Sequence, residues 1–261
     1  MTGILDEILI STRESVAKRA ANVPLSALLR AASEQSATRD FASALREGPI
    51  SVIAEIKRRS PSKGPLDLAV EPAQRAQQYE EAGAAAISVL TDAPFFGGSL
   101  EDLRTARAAV QLPVLRKDFM LDPYQVVEAR AVGADAILVI MAAVDNELAH
   151  ELIRAADELG MGVLVEVHSR EELERAVEVG ARIVGINNRD LGDFNVDLGT
   201  TEQLAPLVPD GCVIVAESGV RTHEDVQRVA AAGAHAVLVG ESLMTSNDPA
   251  AALRSLRGVV A

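Results

Sequence analysis

The sequence predicts a (β/α)8 barrel, a closed ring of eight parallel strands in which a helix follows each strand. The chain has 261 residues, which suits one such barrel of roughly 250 residues. Its residues are 48% hydrophobic but only 3% aromatic, so Ala, Val, Ile and Leu must fill the core. Aliphatic cores are typical of parallel sheets covered by helices, and an all-β sandwich is therefore disfavoured.

A repeat along the chain gives the number of strands. Four segments resemble one another, and each contains the end of a helical pattern, a glycine and an apolar run. Their glycines are Gly83, Gly133, Gly180 and Gly233, at intervals of 50, 47 and 53 residues. This interval fits two strand–helix units, and four further apolar runs lie between the repeats. The eight predicted strands lie within the segments 51–57, 82–90, 113–117, 132–140, 162–167, 179–187, 212–217 and 232–240, and in the four repeat segments the strand follows the glycine.

An open, doubly wound sheet is the alternative architecture for the same alternation. No G-x-G-x-x-G motif follows the first strand, and a closed ring accommodates an approximate four-fold repeat most simply. Helix starts agree with the predicted order, because Ser169 with Glu172 and Thr222 with Asp225 fit the Ser/Thr-x-x-acid cap. We therefore expect a barrel with right-handed crossovers rather than an open sheet.

The residues before the first strand contain two further helical patterns, over 5–19 and 24–46. We expect residues 1–48 to form an N-terminal helical extension that covers one end of the barrel. Length alone would also permit two small domains, but the repeat indicates one barrel. Residues 1–261 are therefore predicted to form a single domain.

Composition and charge restrict the partners of the protein. The formal net charge of −13 disfavours nucleic acid, because clustered Lys and Arg bind phosphate backbones. The first residues are acidic where a signal peptide is basic, and the longest stretch without charged residues, 229–240, is too short to span a membrane. We expect a cytoplasmic protein, a monomer rather than an obligate oligomer. The single cysteine, Cys212, is predicted to be a small buried hydrophobe.

Charged and polar residues cluster at the carboxyl ends of the predicted strands, where barrel enzymes place their active sites. Because side chains alternate along a strand, Glu55 and Lys57 share one face and can point into the barrel mouth together. Six such residues on five strands favour an acid–base site without a nucleophile, in which lysines pair with carboxylates. The six are Glu55, Lys57, Lys117, Glu166, Asn187 and Glu217.

The loops after the last two strands predict a phosphate site. Gly219 and Gly240 let the backbone approach an anion, and barrels frequently bind phosphate with these two loops. Lys57 and Ser60, after the first strand, would close the ring from the neighbouring side. We expect residues 58–64 to form a mobile loop that orders over bound substrate.

The histidines do not predict a metal centre. His168 follows Glu166 by two residues and could share its face, but no second histidine has metal-like spacing and the lysines would repel a cation. His223 lies inside a helix cap, so a capping or surface role is expected. His150 and His235 are no stronger candidates for catalysis. We expect neither a metal nor an organic cofactor.

Six motifs of the chain recur in one order in a known family of barrel enzymes. The most specific is Ala-Glu-Ile-Lys-Arg-Arg-Ser-Pro-Ser-Lys-Gly at 54–64. The others are Leu-Arg-Lys-Asp-Phe at 115–119, Val-Glu-Val-His at 165–168, Gly-Ile-Asn-Asn-Arg-Asp-Leu at 185–191, Ala-Glu-Ser-Gly-Val at 216–220 and Val-Gly-Glu-Ser-Leu-Met at 239–244. The similarity extends over nearly the whole chain. The chain resembles the indole-3-glycerol-phosphate synthase family of tryptophan biosynthesis, in its monofunctional form.

The resemblance implies an enzyme that closes the ring of a carboxyphenylamino deoxyribulose phosphate, with loss of carbon dioxide and water. It implies that Lys117 is the general acid, that Glu166 is its partner in proton transfer, and that Lys57 lies near the substrate carboxylate. The other catalytic positions implied are Glu55, Asn187, Glu217 and Ser218. Contacts to substrate or phosphate are implied for Ser60, Phe119, Arg189, Gly219, Gly240 and Glu241, the last through its backbone.

Two rival functions fit the same fold. Another phosphate-binding barrel, such as an isomerase of the tryptophan or histidine pathway, favours an Asp/Cys or Asp/Asp pair over two lysines and several glutamates. A barrel that serves as a phosphate-ligand sensor or an assembly scaffold would need no converging charges. The charged strand ends therefore favour the synthase.

Overall fold

Eight parallel strands close into a barrel in the computed structural model, which describes residues 3–48, 50–192 and 194–259. Each strand pairs with its neighbours in chain order, and the ring closes where Ser51 of the first strand lies opposite Ala236 of the last. The predicted (β/α)8 barrel is confirmed. Its strands are β1 (Ser51–Ile56), β2 (Ala86–Leu90), β3 (Val114–Lys117), β4 (Ala136–Ile140), β5 (Gly162–Val167), β6 (Ile183–Asn187), β7 (Val213–Glu217) and β8 (Ala236–Val239).

Helices surround the barrel and connect consecutive strands. Both predicted caps are present, since the hydroxyls of Ser169 and Thr222 accept hydrogen bonds from the backbone N–H groups of Glu172 and Asp225. The helices are α1 (Ile4–Asn22), α2 (Leu25–Ser33), α3 (Phe41–Ala44), α4 (Pro72–Glu81), α5 (Leu100–Ala109), α6 (Pro123–Ala131), α7 (Asn146–Glu158), α8 (Arg170–Glu178), α9 (Gly199–Leu204), α10 (His223–Ala231), α11 (Glu241–Met244) and α12 (Pro249–Leu256), with a 3-10 turn at Ala205–Leu207.

The glycines of the sequence repeat end four of these helices. Gly83, Gly133, Gly180 and Gly233 have φ angles of +89°, +94°, +82° and +109°, which side chains with a Cβ rarely adopt. Each glycine therefore turns the chain from a helix into the strand that follows. The repeat in the sequence therefore arises because the same glycine turn from helix to strand occurs four times.

Alternation along the strands separates an inner core from an outer one. Apolar residues that face outward pack under the helices, and those that face inward fill the lower part of the barrel. Two positions further along four of the strands, the inward-facing residue is charged. These pairs are Ile53 and Glu55, Leu115 and Lys117, Leu164 and Glu166, and Val215 and Glu217. The pleat thus places a charged layer directly above an aliphatic one.

The N-terminal extension closes the lower end of the barrel, as expected. Phe41 and Leu45 pack against inward-facing residues of the strands, and the Phe41 ring lies beside Gly162. A short α3 presents both residues, because the carboxylate of Asp40 accepts the backbone N–H of Ser43 and caps that helix. Phe41 is 1% exposed, so its ring belongs to the barrel core.

The helical pattern predicted over 24–46 is wrong as one continuous helix. α2 ends at Ser33, and α3 begins only at Phe41. Between them the chain hydrogen-bonds to the barrel instead of to itself. Thr38 donates its hydroxyl to the Gly160 carbonyl, and the Arg39 backbone N–H donates to the buried Asp135 carboxylate. These distant partners override the local helical pattern.

The extension also reaches the opposite end of the barrel, which the sequence did not indicate. Residues at the start of α1 border the mouth: Ile4, Leu5 and Ile8. Further along α1, Arg19 forms a bidentate ion pair with Glu128 of α6. Glu128 in turn binds the fully buried Arg116 of β3. The extension therefore contacts both ends of the barrel, and an ion-pair chain joins α1 to the strand that carries Lys117.

Cys212 is less buried than predicted. It precedes β7, is partly exposed, and points its thiol at the Ala181 carbonyl, with a sulfur–oxygen distance of 3.5 Å. The thiol lies at the strand's amino end, away from the charged layer. Within the described parts of the chain, no helix is long and apolar enough to cross a membrane.

We expect Phe41→Ala to lower the free energy of unfolding by about 3–5 kcal/mol, because it leaves a cavity under the barrel. Leu29→Ala is the matched control, since Leu29 is 47% exposed on α2 and its loss should change stability little. Urea unfolding of both variants measures the difference. Equal stabilities of the two variants would show that α3 does not contribute to the barrel core.

Candidate active site

A cavity of about 200 Å³ opens at the carboxyl ends of the strands. Thirteen residues were named from the sequence as catalytic or substrate-binding candidates, and all of them line this cavity. They are Glu55, Lys57, Ser60, Lys117, Phe119, Glu166, Asn187, Arg189, Glu217, Ser218, Gly219, Gly240 and Glu241. The strand ends therefore bring together residues that lie far apart in the sequence.

Lys117 lies at the centre of the charged layer. Its Nζ donates to Oε2 of Glu217 at 2.5 Å and to Oε2 of Glu166 at 3.1 Å. Burial alone would lower the pKa of Lys117, but the negative charges of Glu217, Glu166 and Glu55 outweigh it and hold that pKa above its ordinary value. Lys117 is therefore a cation at neutral pH, held between carboxylates from two other strands.

Glu166 is buried yet ionised. Burial alone would raise its pKa, but the charge of Lys117, contact with His168 and a hydrogen bond from Asn187 hold the pKa well below its ordinary value. The Asn187 amide donates to Oε1 at 3.1 Å, and Nε2 of His168 lies 3.3 Å from the same oxygen. Glu166 is thus held as a carboxylate by three neighbouring side chains.

Glu217 differs from Glu166 in its proton affinity. Burial raises the pKa of Glu217 to about 7, with help from the charge of Glu166 and against the effect of Lys117. Its Oε1 has no hydrogen-bond partner among the described residues and lies against Gly185. A Cβ at Gly185 would come within 2.1 Å of this oxygen, so only glycine leaves room for the carboxylate. Two neighbouring carboxylates with different pKa values can serve as acid and base.

A second ion pair lies on the first strand. Nζ of Lys57 donates to Oε1 of Glu55 at 2.5 Å, and the carboxylate is 3% exposed. Gly240 lies beside this pair, and a Cβ there would come within 2.3 Å of the same oxygen of Glu55. Gly240 was predicted from the sequence to admit a phosphate, and it also makes room for this carboxylate. Lys57 keeps two further N–H groups to offer to an anion.

The chain turns sharply directly after β7. Ser218 and Gly219 have φ angles of +61° and +85°, and both residues line the cavity. Ser218 is strained in this conformation, so the turn must be held from outside. The buried Asn188 holds it, because its amide donates to the carbonyls of Glu217 and Ser218. Asn188 was not among the residues predicted from the sequence to form the site.

Glu241 contributes more than its backbone. Its carboxylate lies 3.5 Å from Arg189 and 3.8 Å from Lys63, so it pairs with cations from two other loops around the mouth. Part of the loop 58–64 forms a short two-stranded ribbon, in which Ser60 pairs with Gly64. Whether this loop moves over substrate stays a prediction.

Most residues on the apolar side of the cavity were not predicted from the sequence. The rings of Phe96 and Phe119 lie 6.1 Å apart between their centres, and Leu138 and Ile140 line the same space. Phe96 follows β2 in a chain with only five phenylalanines, a signal that could have been noticed. Leucine and isoleucine on strands carry no such signal, because inward-facing core residues have the same composition.

The other histidines lie away from the mouth. His223 bonds to the Leu256 carbonyl, His235 accepts the Ile214 backbone N–H through Nδ1, and His150 is exposed. Only His168 contacts a candidate catalytic residue among the described histidines. In the described ranges 3–48, 50–192 and 194–259, no group of three or more His, Cys, Asp or Glu side chains is arranged to hold a metal ion.

The fold and this cavity define a class of protein. It is a (β/α)8 barrel with a layer of paired lysines and glutamates in its mouth and an apolar wall beside that layer. A sharp turn with positive φ angles follows β7 and lines the same cavity. These features are typical of barrel enzymes that perform acid–base chemistry on small phosphorylated molecules.

Comparison with known proteins gives the family. The family model described as Indole-3-glycerol phosphate synthase matches residues 5–256, and the chain belongs to this family. A protein of that name from Streptomyces griseus is 50% identical over 253 residues, covering 97% of this chain and 94% of its own length. Another, from Parafrankia sp., is 51% identical over 245 residues, covering 94% and 91%. A solved 3-hexulose-6-phosphate synthase, 22% identical, shares the fold with a TM-score of 0.62 over 81% of this chain and 100% of that one.

We expect Glu217 to titrate near pH 7 in the folded protein, well above its ordinary value of 4.5. Since the folded pKa is raised, this carboxyl stabilises the fold fully below about pH 4.5, and that contribution is lost as pH rises through about 7. Infrared difference spectra of the protein and of Glu217→Gln across this range isolate the carboxyl band. A band that disappears already near pH 4.5 would contradict the assignment.

Proposed function

We propose that this chain catalyses the indole-3-glycerol phosphate synthase reaction of tryptophan biosynthesis. In this reaction 1-(2-carboxyphenylamino)-1-deoxy-D-ribulose 5-phosphate is cyclised to indole-3-glycerol phosphate, with loss of carbon dioxide and water. Family membership supports the reaction as a whole. The observation that carries the mechanism is the position of Lys117, whose Nζ lies within hydrogen-bond distance of both Glu166 and Glu217. Acid–base groups suffice for every step, so the proposal includes no cofactor.

Lys117 is the proposed acid for ring closure. Protonation of the substrate's ketone oxygen makes its carbon electrophilic toward the aromatic ring. Before substrate enters, the charges of two carboxylates raise the pKa of Lys117. Proton transfer from Lys117 to the ketone oxygen therefore requires that this effect on the pKa be weakened. Glu217 can provide this change, because its pKa of about 7 leaves it readily protonated at neutral pH. A neutral Glu217 removes one of the charges that raise the pKa of Lys117.

The later steps use the other ion pairs. The ring carbon that attacks the ketone carries the substrate carboxylate, and loss of carbon dioxide from it restores the aromatic ring. Lys57 is proposed to lie beside that carboxylate, with Glu55 and Asn187 nearby. Expulsion of the hydroxyl group as water then needs a proton on the leaving oxygen and the loss of a proton from the adjacent ring carbon. Lys117 and Glu166 are the proposed partners in these transfers. The 3.1 Å distance between these two side chains permits direct transfer.

The remaining lining residues are proposed to bind the two ends of the substrate. The phosphate is placed against the backbone N–H groups of Gly219, Gly240 and Glu241, with Ser60 and Arg189 beside it. The aromatic ring is placed on the apolar wall formed by Phe96 and Phe119. The two anchors lie on different sides of the cavity, so they would hold the ketone near Lys117.

The cellular setting follows from the same reasoning. We propose a cytoplasmic monomer that acts on a small phosphorylated substrate and does not bind nucleic acid. The net charge of −13 supports the exclusion of nucleic acid, because an acidic surface repels phosphate backbones.

We expect phosphate or sulfate, soaked into crystals of the protein, to bind at the turns around Gly219 and Gly240. The expected contacts are backbone N–H groups, since these need no side-chain rearrangement. Gly219→Ala should abolish this density, because a Cβ there would lie 2.6 Å from Val196 and the φ angle of +85° would be strained. Anion density elsewhere in the mouth would contradict this placement.

Lys117→Met should lower kcat by about 10²–10⁴-fold while substrate still binds through its phosphate. The assay is the appearance of indole fluorescence from the carboxyphenylamino substrate. A melting curve must accompany it, because the variant also leaves two buried carboxylates without their cation. If the folded fraction turns over at nearly the wild-type rate, the residue is a structural cation and the assignment is wrong.

A further inference from the structure

His168 lies just beyond β5 and contacts two carboxylates. Its Nδ1 lies 3.0 Å from Oε2 of Glu172, on the first turn of α8. Its Nε2 lies 3.3 Å from Oε1 of Glu166, within ion-pair distance although without the alignment of a good hydrogen bond. The side chain is 11% exposed, so water does not replace either partner readily. The imidazole therefore bridges the outer helix and the charged layer of the barrel.

This geometry favours protons on both ring nitrogens. A neutral imidazole has a lone pair on one nitrogen, and here that lone pair would face a carboxylate oxygen at close range. The lone pair and the carboxylate oxygen repel each other, so the doubly protonated imidazolium is favoured over the neutral ring. Burial would lower the pKa of His168, but Glu166 and Glu172 outweigh it and raise that pKa to about 10. The ring thus stays charged throughout the neutral range.

We propose that His168 is a positioning residue for the reaction: as an imidazolium it holds the Glu166 carboxylate ionised and oriented toward Lys117, and Glu172 keeps the imidazole charged. The inference rests on the proposed function, in which Glu166 exchanges protons with Lys117. His168 itself contacts no reacting atom, so its influence passes entirely through Glu166.

The charges that face these groups form an alternating series. On one side of His168 lies Glu172 from α8, and on the other lies Glu166 from β5. Beyond Glu166 lie Lys117 from β3 and, bound to the same lysine, Glu217 from β7. Every charge in the series is next to one of opposite sign, and removal of His168 leaves Glu166 with Lys117 as its only cation in the described contacts.

Glu172 is well placed to fix the ring. Its Oε2 accepts the backbone N–H of His168 at 2.8 Å as well as contacting Nδ1. The capped start of α8 places Glu172 there, because Ser169 accepts the Glu172 backbone N–H. The helix cap, predicted from sequence as a structural feature, thereby also orients the side chain that charges His168.

The first test compares His168→Gln with the wild-type protein. We expect kcat to fall roughly 10- to 100-fold with KM little changed, because the substrate anchors lie elsewhere while Glu166 loses its orientation. Loss of the positive charge should raise the pKa of Glu166, so the acid limb of the kcat–pH profile should move to higher pH. A purely structural role would lower the melting temperature and leave kcat per folded molecule and the profile unchanged.

The second test uses Glu172→Gln, which keeps the hydrogen-bond acceptor but removes the charge. The pKa of His168 should fall, so the variant should match the wild type at low pH and lose kcat at alkaline pH as the ring deprotonates. Glu171→Gln is the matched control, since Glu171 is the exposed neighbour on the same helix turn. This control should show the wild-type profile.

Nitrogen-15 spectra of labelled histidine decide the protonation state directly. We expect both ring nitrogens of His168, assigned by their absence in His168→Gln, to carry protons up to pH 9. A neutral ring at pH 7 overturns the proposal. So does a His168→Gln variant with the wild-type kcat and pH profile while Glu166→Gln is inactive. If Glu166→Gln retains wild-type kcat, the proposed function of Glu166 fails instead.

Discussion

The arrangement of the barrel mouth depends on the ion pairs of Lys117. A lysine and two glutamates occupy the layer directly above an aliphatic core, where an unpaired charge would be strongly destabilising. Their mutual pairing satisfies that requirement and at the same time separates the pKa values of Glu166 and Glu217. The same contacts therefore stabilise the layer and give its two carboxyl groups the different pKa values that the proposed proton transfer needs.

Small residues and a strained turn follow from this arrangement. Gly185 and Gly240 stand where any side chain would collide with the carboxylates of Glu217 and Glu55. The turn at Ser218 comes immediately after Glu217 and depends on the buried Asn188 for its shape. The strained turn, the glycines and the charged side chains thus lie together at one end of the barrel. Aliphatic side chains and Phe41 fill the lower end. The aliphatic end therefore stabilises the barrel, and the proposed chemistry takes place at the other end.

The fold and the charged residues at the strand ends could be predicted because both depend on local periodicity. A glycine before a strand marks the turn, and alternation along the strand places Glu55, Lys117, Glu166 and Glu217 on the inner face. Ser218, Phe119, Arg189 and Glu241 were implied only by the resemblance to the family. Local periodicity could not predict which side chains pair across the barrel. The Lys117–Glu217 pair joins residues 100 positions apart, and the break after α2 depends on hydrogen bonds to residues 96 and 122 positions away. His168 was assessed only as a metal ligand, because its second partner, Glu172, was assigned to a helix cap.

The central claim is that Lys117 and Glu166 act as one proton-transfer unit. A double-mutant cycle on kcat, with Lys117→Met, Glu166→Gln and the combined variant, tests this most directly in the indole fluorescence assay. Groups that act as a unit are not additive, so the combined variant should be no slower than the slower single variant. If instead the two losses multiply, the residues act independently and the account of a shared proton is contradicted.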